Sequence, residues 1–97
     1  MIVKISRASV HSGEVENLKK WLSMGWHPLI RKQNGLVRVC AAVMDSGDFV
    51  VITRWDDNKS MENWNSNSEH KNIVKDLLPL LSAELSSEVY NYIGFDS

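Results

Sequence analysis

Residues 49–74, FVVITRWDDNKSMENWNSNSEHKNIV, join a predicted strand to a predicted helix and decide how the rest of the chain is arranged. The segment opens with a hydrophobic run that ends at Trp55, which is typical of a buried strand. A turn is expected at residues 56–58, because Asp and Asn side chains hydrogen-bond to their own backbone. A short helical turn through Met61 and Trp64 follows, so the strand passes almost directly into helix.

A longer helix is predicted to begin at Ser66. Ser66 and Glu69 have the spacing of a capping box, in which each side chain bonds the backbone of the other residue. Four apolar residues then recur at helical spacing on the face that carries His70: Ile73, Val74, Leu77 and Leu81. The helix is therefore expected to turn a histidine inward near its start, just after Trp64.

A strand and a kinked helix are predicted to open the chain. Residues 2–10 mix apolar and polar side chains in the manner of a strand, and neither of its faces is cleanly apolar. Residues 13–33 carry apolar side chains three to four apart, which predicts a helix with Ser12 as its N-cap. Pro28 should kink this helix, because proline lacks a backbone donor, and Gly35 should end it.

Two further strands complete the predicted pattern. Residues 36–44 form a strand that a short glycine-containing turn joins to residues 49–55, which indicates an antiparallel hairpin. Residues 88–95 are predicted to form the last strand. The order strand, helix, strand, strand, helix, strand over one domain, residues 1–97, predicts an α+β, ferredoxin-like fold. In this fold, helices cover one face of a four-stranded antiparallel sheet.

The other face of the predicted sheet also needs a cover. Apolar side chains occupy both faces of residues 36–44, since Val39 and Val43 alternate with Cys40 and Ala42. One layer of helices covers one face only, so a homodimer that packs sheet against sheet is expected. A chain of 97 residues also buries a modest core and would gain stability from dimerising.

The composition argues against several classes of protein. Lys and Arg are scattered in a chain of net charge −1, unlike the basic surface of a nucleic-acid-binding protein, so no nucleic-acid partner is expected. The single cysteine, Cys40, excludes an internal disulfide framework and is typical of a reducing compartment. No apolar run approaches the roughly 20 residues that a membrane span needs. We therefore expect a cytoplasmic protein without a membrane partner.

Several short motifs are those of one known family. They are Gly13 after the first strand, Asn34-Gly35 before the second strand, and Arg54-Trp55-Asp56-Asp57 followed by Trp64, Ser66 and His70. In these motifs the chain resembles the antibiotic biosynthesis monooxygenase family, of the dimeric α+β barrel superfamily. The resemblance covers nearly the whole chain. The resemblance is a better guide to the fold than to the substrate, because proteins that share one fold perform different functions.

The resemblance implies a homodimer with a pocket in each subunit between the sheet and the helices. In characterised oxygenases of the family, an electron-rich phenolic substrate is ionised and itself reduces molecular oxygen, with neither flavin nor metal. The chain is accordingly expected to be a monooxygenase that needs no cofactor and acts on a small hydrophobic, aromatic or polyketide-like molecule. The candidate catalytic residues are His70 and Trp64, and the candidate substrate-binding residues are Ser6, Arg7, Trp26 and Arg54.

The chemistry of five of the six candidate side chains suggests a role for each. Burial and the positive end of a helix dipole favour neutral imidazole at His70, and neutral imidazole can accept a proton from a phenol. Trp64 and Trp26 can line a pocket for a flat ligand, because aromatic rings stack and bury large areas. Arg7 and Arg54 can meet an anionic substrate or a developing phenolate.

The same residues also have purely structural interpretations. His70 can be a hydrogen-bonded histidine that joins the loop to the helix, and the tryptophans can serve a small core. The arginines can form ion pairs, for which the candidate partners are Asp56, Asp57 and Glu62. No metal site is predicted, because the three histidines are far apart in sequence and no carboxylate lies at ligand spacing from one.

Two other functions stay open: a non-catalytic dimeric module that binds a small ligand, and a haem-binding or haem-degrading relative. The haem-degrading branch uses an asparagine from the first strand, a tryptophan and a haem-ligating histidine. Trp64 is at the tryptophan position, and Ser6 or Arg7, depending on register, is near the asparagine position. The ligand would be needed about one helical turn beyond His70, near Val74, so we expect that haem is not turned over.

Overall fold

Four strands and four α-helices make up the fold in the computed structural model, which describes residues 1–96. In chain order they are β1 (Ile2–Val10), α1 (Val15–Lys20), a π-helical segment (Trp21–Trp26), α2 (His27–Ile30), β2 (Leu36–Val43), β3 (Asp48–Trp55), α3 (Asn58–Asn65), α4 (Ser68–Leu77), a 3-10 turn (Leu78–Leu80) and β4 (Leu81–Asn91). No helix within residues 1–96 is both long enough and apolar enough to cross a membrane.

The strands form one antiparallel sheet in the order β2-β3-β1-β4. β1 lies between β3 and β4, so the first and last strands of the chain are neighbours. All the helices pack on one face of the sheet. The ferredoxin-like α+β fold that the order of elements predicts is therefore confirmed.

Two clusters of buried side chains fill the space between the sheet and the helices. The first contains Ala8, Val10, Leu18, Phe49 and Leu77. The second contains Trp26, Ile30, Trp55, Met61 and Trp64. Trp55 is fully buried, and its indole N–H donates a hydrogen bond of 2.9 Å to Thr53 Oγ1, so burial leaves no unpaired donor. The end of β3 thus anchors the cluster against which α3 packs.

The helix that was predicted to begin at Ser66 begins at Ser68 instead. Asn67 is its N-cap and accepts a hydrogen bond of 3.0 Å from the backbone N–H of His70. Ser66 ends α3, and its hydroxyl donates to the carbonyl oxygen of Glu62 at 2.9 Å. The predicted capping box at Ser66 is wrong, because α3 extends far enough to occupy that residue and asparagine is as good an N-cap as serine.

The first helix starts later than predicted and is interrupted where proline was expected to kink it. α1 begins at Val15 after Glu14, which makes no side-chain cap, so the prediction of Ser12 as N-cap is wrong. The π-helical segment lies directly before α2, whose second residue is Pro28. Proline cannot donate the hydrogen bond that a continuous α-helix needs at this point, and the backbone changes to wider turns instead.

The last strand also differs from its prediction. It was predicted over residues 88–95 and is observed over Leu81–Asn91. Its pairing with β1 runs from Val10 opposite Leu81 to Ile2 opposite Asn91, with register shifts between Arg7 and Val10. Most of the added residues are exposed, and most are small or polar, so they show little strand periodicity. Pairing with β1 orders them.

The sheet face away from the helices carries the alternate side chains of each strand. Val39 and Val43 of β2 pack toward the helices. Cys40 lies between them in the strand and is exposed, as is Ala42. Ile52 lies opposite Cys40 on β3 and is part of the same uncovered face. The apolar character expected on both faces of β2 is therefore present.

Two glycines with positive φ provide a matched test of local packing. Gly35 has φ +85°, and a Cβ there would lie 2.5 Å from Ser60 Cβ, whereas Gly13 has φ +88° and open space around it. Gly13→Ala should cost about 1–3 kcal/mol through backbone strain alone. Gly35→Ala should cost about 1–3 kcal/mol more, because α3 must also shift. Urea denaturation measures both losses, and equal losses would contradict this account.

Candidate functional site

A cavity of about 340 Å³ lies between the sheet and the helices. Its floor is made by β1, β3 and β4, and its walls by the π-helical segment, α3 and α4. The lining residues are Lys4, Ser6, Trp21, Trp26, Phe49, Val51, Thr53, Trp64, Asn65, His70, Lys71, Val74, Lys75, Leu77, Leu78, Leu85 and Ser87. Most of these side chains are apolar or aromatic, as is usual in sites for small organic ligands.

Four of the six sequence-predicted site residues meet in this cavity. Ser6, Trp26, Trp64 and His70 all line it. Along β1 successive side chains point to opposite faces, so Ser6 faces the helices and Arg7 faces away from them. The alternative between Ser6 and Arg7 is thus resolved in favour of Ser6 as the cavity residue.

Arg7 and Arg54 lie on the opposite face of the sheet, and the structure does not bring them to the cavity. Arg54 Nη1 is 3.0 Å from Asp96 Oδ2, and the guanidinium lies 4.3 Å from the ring centroid of Tyr92. Within the chain Arg54 therefore pairs with Asp96 and not with the candidate partners at residues 56, 57 and 62.

His70 is held in one orientation by contacts with Trp64. Its Nδ1 lies 3.0 Å from the carbonyl oxygen of Trp64. A carbonyl oxygen only accepts hydrogen bonds, so Nδ1 carries the proton and, in the neutral ring, Nε2 keeps a free lone pair. The imidazole also stacks on the Trp64 indole, with ring centroids 3.9 Å apart and planes 14° apart. One nitrogen anchors the ring, and the other remains able to accept a proton.

The surroundings of His70 favour its neutral form. Burial lowers the pKa of His70 below its ordinary value of 6.5, and the positive charge of Lys4 lowers it further. The hydrogen bond to the Trp64 carbonyl acts in the opposite sense but does not reverse the direction. Near neutral pH the side chain is therefore imidazole, the form that a general base requires.

The tryptophan walls depend on two features of the helices. Trp21 Nε1 donates a hydrogen bond of 2.8 Å to the carbonyl oxygen of Ile73, which ties the π-helical segment to α4. Trp21 and Trp26 are five residues apart and would point about 140° apart in an α-helix. The wider π-helical turn brings both to the cavity. Trp64 in turn packs against Trp55, with ring centroids 6.5 Å apart.

Sequence reasoning missed six polar residues of the cavity: Lys4, Thr53, Asn65, Lys71, Lys75 and Ser87. Lys4 Nζ donates to Asn65 Oδ1 at 2.7 Å, across 61 positions of sequence. Burial lowers the pKa of Lys4 below its ordinary value of 10.5. Lys4 shares a face of β1 with Ser6, but neither face of that strand is cleanly apolar, so the sequence did not mark this face as the cavity side. Asn65 likewise belongs to no pattern that would single it out.

Residues 1–96 contain no group of three or more His, Cys, Asp or Glu side chains that could hold a metal ion. Val74 lines the cavity one helical turn after His70, at the position where the haem-degrading relatives were expected to carry their iron ligand. A valine side chain has no atom that can ligate iron. The expectation that haem is not turned over stays a prediction.

Similarity to solved structures extends over essentially the whole chain. A predicted antibiotic biosynthesis monooxygenase from Nitrosomonas europaea is 19% identical with TM-score 0.82, covering 97% of this chain and 100% of that chain. A predicted member from Deinococcus radiodurans is 14% identical with TM-score 0.83, covering 100% and 97%. A variant of SnoaB, a cofactor-independent oxygenase from Streptomyces nogalater, is 15% identical with TM-score 0.79, covering 94% and 91%. At these identities the likeness establishes the fold alone.

Sequence comparison identifies the family of the chain, although a comparison with functionally curated proteins found no match. The family model of the antibiotic biosynthesis monooxygenases matches residues 1–76, from the start of β1 almost to the end of α4. That range includes Ser6, Trp26, Trp64 and His70, the four predicted residues that line the cavity. The chain therefore belongs to the antibiotic biosynthesis monooxygenase family.

Proposed function

We propose that this protein is a monooxygenase that acts without a cofactor on a small aromatic or polyketide-like substrate bound in the cavity. The observation that carries the proposal is the neutral, oriented imidazole of His70 in a mostly apolar cavity. Membership of the family supports monooxygenase chemistry in general. The cofactor-independent oxygenase SnoaB, which has the same fold, supports the more specific reading.

The reaction begins with proton transfer. A phenol or a tautomerisable ketone lies flat in the cavity with its acidic hydrogen toward His70, and Nε2 accepts that proton. The resulting anion is electron-rich enough to reduce molecular oxygen, and a C–O bond forms at the activated ring carbon. The peroxide anion that results takes up a proton from solvent. Loss of water then leaves a carbonyl where the keto tautomer of the substrate had a CH₂ group, so one oxygen atom enters the product and the other leaves as water.

Trp64 and Ser6 have separate roles in this proposal. Trp64 is 3% exposed and holds His70 by its carbonyl and its ring, so it is a positioning residue as well as a wall. The hydroxyl groups of Ser6 and Ser87 lie 2.9 Å apart and form a polar spot on the floor. A substrate carbonyl placed there can accept a hydrogen bond from either hydroxyl.

We also propose that the working unit is a homodimer that packs the uncovered sheet faces together. Ile52 and Cys40 lie on that face with no helix over them. Arg54 Nε is buried on the same side and has no hydrogen-bond partner among residues 1–96. A buried donor of this kind is normally paired, and a second subunit can supply the acceptor.

His70→Ala should lower turnover by roughly 100-fold to 10,000-fold, the usual contribution of a general base. His70→Asn is the sharper variant, because its amide can replace the hydrogen bond of Nδ1 to Trp64 but cannot act as the base. Both variants should be impaired, whereas His11→Ala, which changes an exposed histidine outside the cavity, should not be. The assay is oxygen uptake with hydroquinones and anthrone-like phenols, with circular dichroism to confirm folding. Full activity in His70→Asn would leave His70 with a structural role only.

The pH profile of the wild-type enzyme should show an acid limb that belongs to His70. Because burial lowers the pKa of His70 below 6.5, the base stays deprotonated at pH 6.5 and is lost only at lower pH. The midpoint of the limb in kcat/KM, which reports groups of the free enzyme, should therefore lie below pH 6.5, and His70→Asn should abolish the limb. A midpoint above 6.5 would contradict the proposed environment.

Trp64→Phe should raise KM more than it lowers kcat, because the smaller ring offers less stacking area while the backbone carbonyl that orients His70 remains. Stacking of aromatic pairs is worth about 0.5–1.5 kcal/mol, which corresponds to roughly 2-fold to 13-fold in KM. Steady-state oxygen uptake separates the two parameters. A loss confined to kcat would instead mean that the ring mainly positions His70.

Sedimentation analysis should find a dimer at micromolar concentration. Ile52→Asp places a charge at the centre of the uncovered face and should produce a folded monomer, since a buried unpaired charge is costly. Asn72→Asp adds the same charge to an exposed site on α4 and should leave the dimer intact. A well-folded wild-type monomer at micromolar concentration would refute the proposed assembly.

A further inference from the structure

The charged residues that line the cavity are all basic. They are Lys4 on the floor and Lys71 and Lys75 on α4, with His70 as the remaining titratable group. No Asp or Glu of residues 1–96 lines the cavity, although the chain carries 12 acidic side chains against 11 Lys and Arg. The positive cavity is thus a local feature of an otherwise slightly acidic protein.

Lys4 differs from the two lysines of α4 in its surroundings. Lys71 and Lys75 are exposed, and water and salt screen their charges. Lys4 is partly buried and projects from β1, whose backbone is paired on both sides. Its charge therefore acts where solvent screening is weakest.

The ammonium group of Lys4 is only partly satisfied. It can donate three hydrogen bonds, and one goes to the neutral amide oxygen of Asn65. It forms no salt bridge within residues 1–96. Burying a cation without a counter-charge is costly, and the lowered pKa of Lys4 reflects that cost. An anion in the cavity would supply the missing counter-charge and so offset this cost.

We propose that the cavity binds a flat aromatic ligand in its anionic form, with the ionised oxygen held beside the ammonium of Lys4. This inference deepens the proposed function, and rests on it, in taking that ligand to be the substrate. His70 accepts the proton of the O–H bond and passes it to solvent, and Lys4 retains the negative charge on the oxygen. His70 thus acts as the base, and the charge of Lys4 stabilises the anion.

The charged groups around Lys4 determine the electrostatic potential at the ligand's oxygen. β1 contributes Lys4 itself, and α4 contributes His70, Lys71 and Lys75, while the lining residues from β3 and β4 are uncharged. His70 is neutral above pH 6.5, since its pKa is lowered from that value. The net effect on a bound phenol is to lower its pKa. An opposite charge within contact distance does so by about 1–3 units.

The probe is 4-nitrophenol, whose absorption band moves to longer wavelength when the hydroxyl group ionises. Its spectrum is recorded across pH with excess protein and compared with that of the free phenol. 4-Nitroanisole, which has nearly the same shape but cannot ionise, is the matched neutral ligand. We expect bound nitrophenol to ionise about 1–3 pH units below free nitrophenol. At a pH above the pKa of free nitrophenol, we also expect nitroanisole to bind at least about ten times more weakly, which is the effect of one such unit.

Three variants separate charge from structure. Lys4→Gln removes the charge but keeps an amide donor toward Asn65, and it should abolish most of the shift in nitrophenol ionisation. Asn65→Ala removes the hydrogen bond but keeps the charge, and the shift should persist. Lys20→Gln changes an exposed lysine outside the cavity and should have no effect. Circular dichroism checks that each variant folds.

The comparison of the two ligands in wild-type protein needs no variant. Equal binding of nitrophenol and nitroanisole, failure of nitrophenol to bind, or a full shift in folded Lys4→Gln would each overturn the inference. A Lys4-dependent shift in a protein without oxygenase activity would uphold anion binding and reject the proposed function. Oxygenase activity with no shift in the ionisation of bound nitrophenol would uphold the proposed function and reject anion binding.

Discussion

The hydrogen bond from His70 Nδ1 to the Trp64 carbonyl closes the corner between α3 and α4, and the wall of the cavity depends on it. Trp64 is near the end of α3 and His70 is near the start of α4, so the bond and the stacked rings span the turn between them. The same indole packs against Trp55 at the end of β3. The corner is thereby attached to the sheet. Any movement of this corner changes the shape of the cavity and the direction of the imidazole together.

The order of strands and helices could be predicted from the sequence because periodicity and turn residues act locally. The closeness of Trp64 and His70 could be predicted for the same reason, since both belong to the continuous segment from β3 to α4. Which face of β1 lines the cavity could not be, because Ser6 and Arg7 are both polar and neither face of the strand is cleanly apolar. That choice follows from register, which places Ser6 opposite Val51 of β3.

The predictions that failed depend on which of two neighbouring residues caps a helix, or on contacts between segments that are distant in sequence. Ser66 and Asn67 can both cap a helix, and the outcome depends on how far α3 continues from its own cap at Asp57. β4 is mostly exposed, so its limits are set by partners on β1 rather than by its own pattern. The pairing of Lys4 with Asn65 joins a strand to the end of a helix, and no local pattern encodes such a contact.

The tryptophans give this protein an optical property of its own. Of its four tryptophans, Trp21, Trp26 and Trp64 line the cavity, and the fourth, Trp55, lies 6.5 Å from Trp64. The tryptophan fluorescence of the chain therefore originates entirely in or beside one small volume. A molecule that enters this volume displaces water from the indole rings or quenches them directly. The emission spectrum of the unlabelled protein thus reports occupancy of the cavity, with no tryptophan elsewhere to dilute the signal.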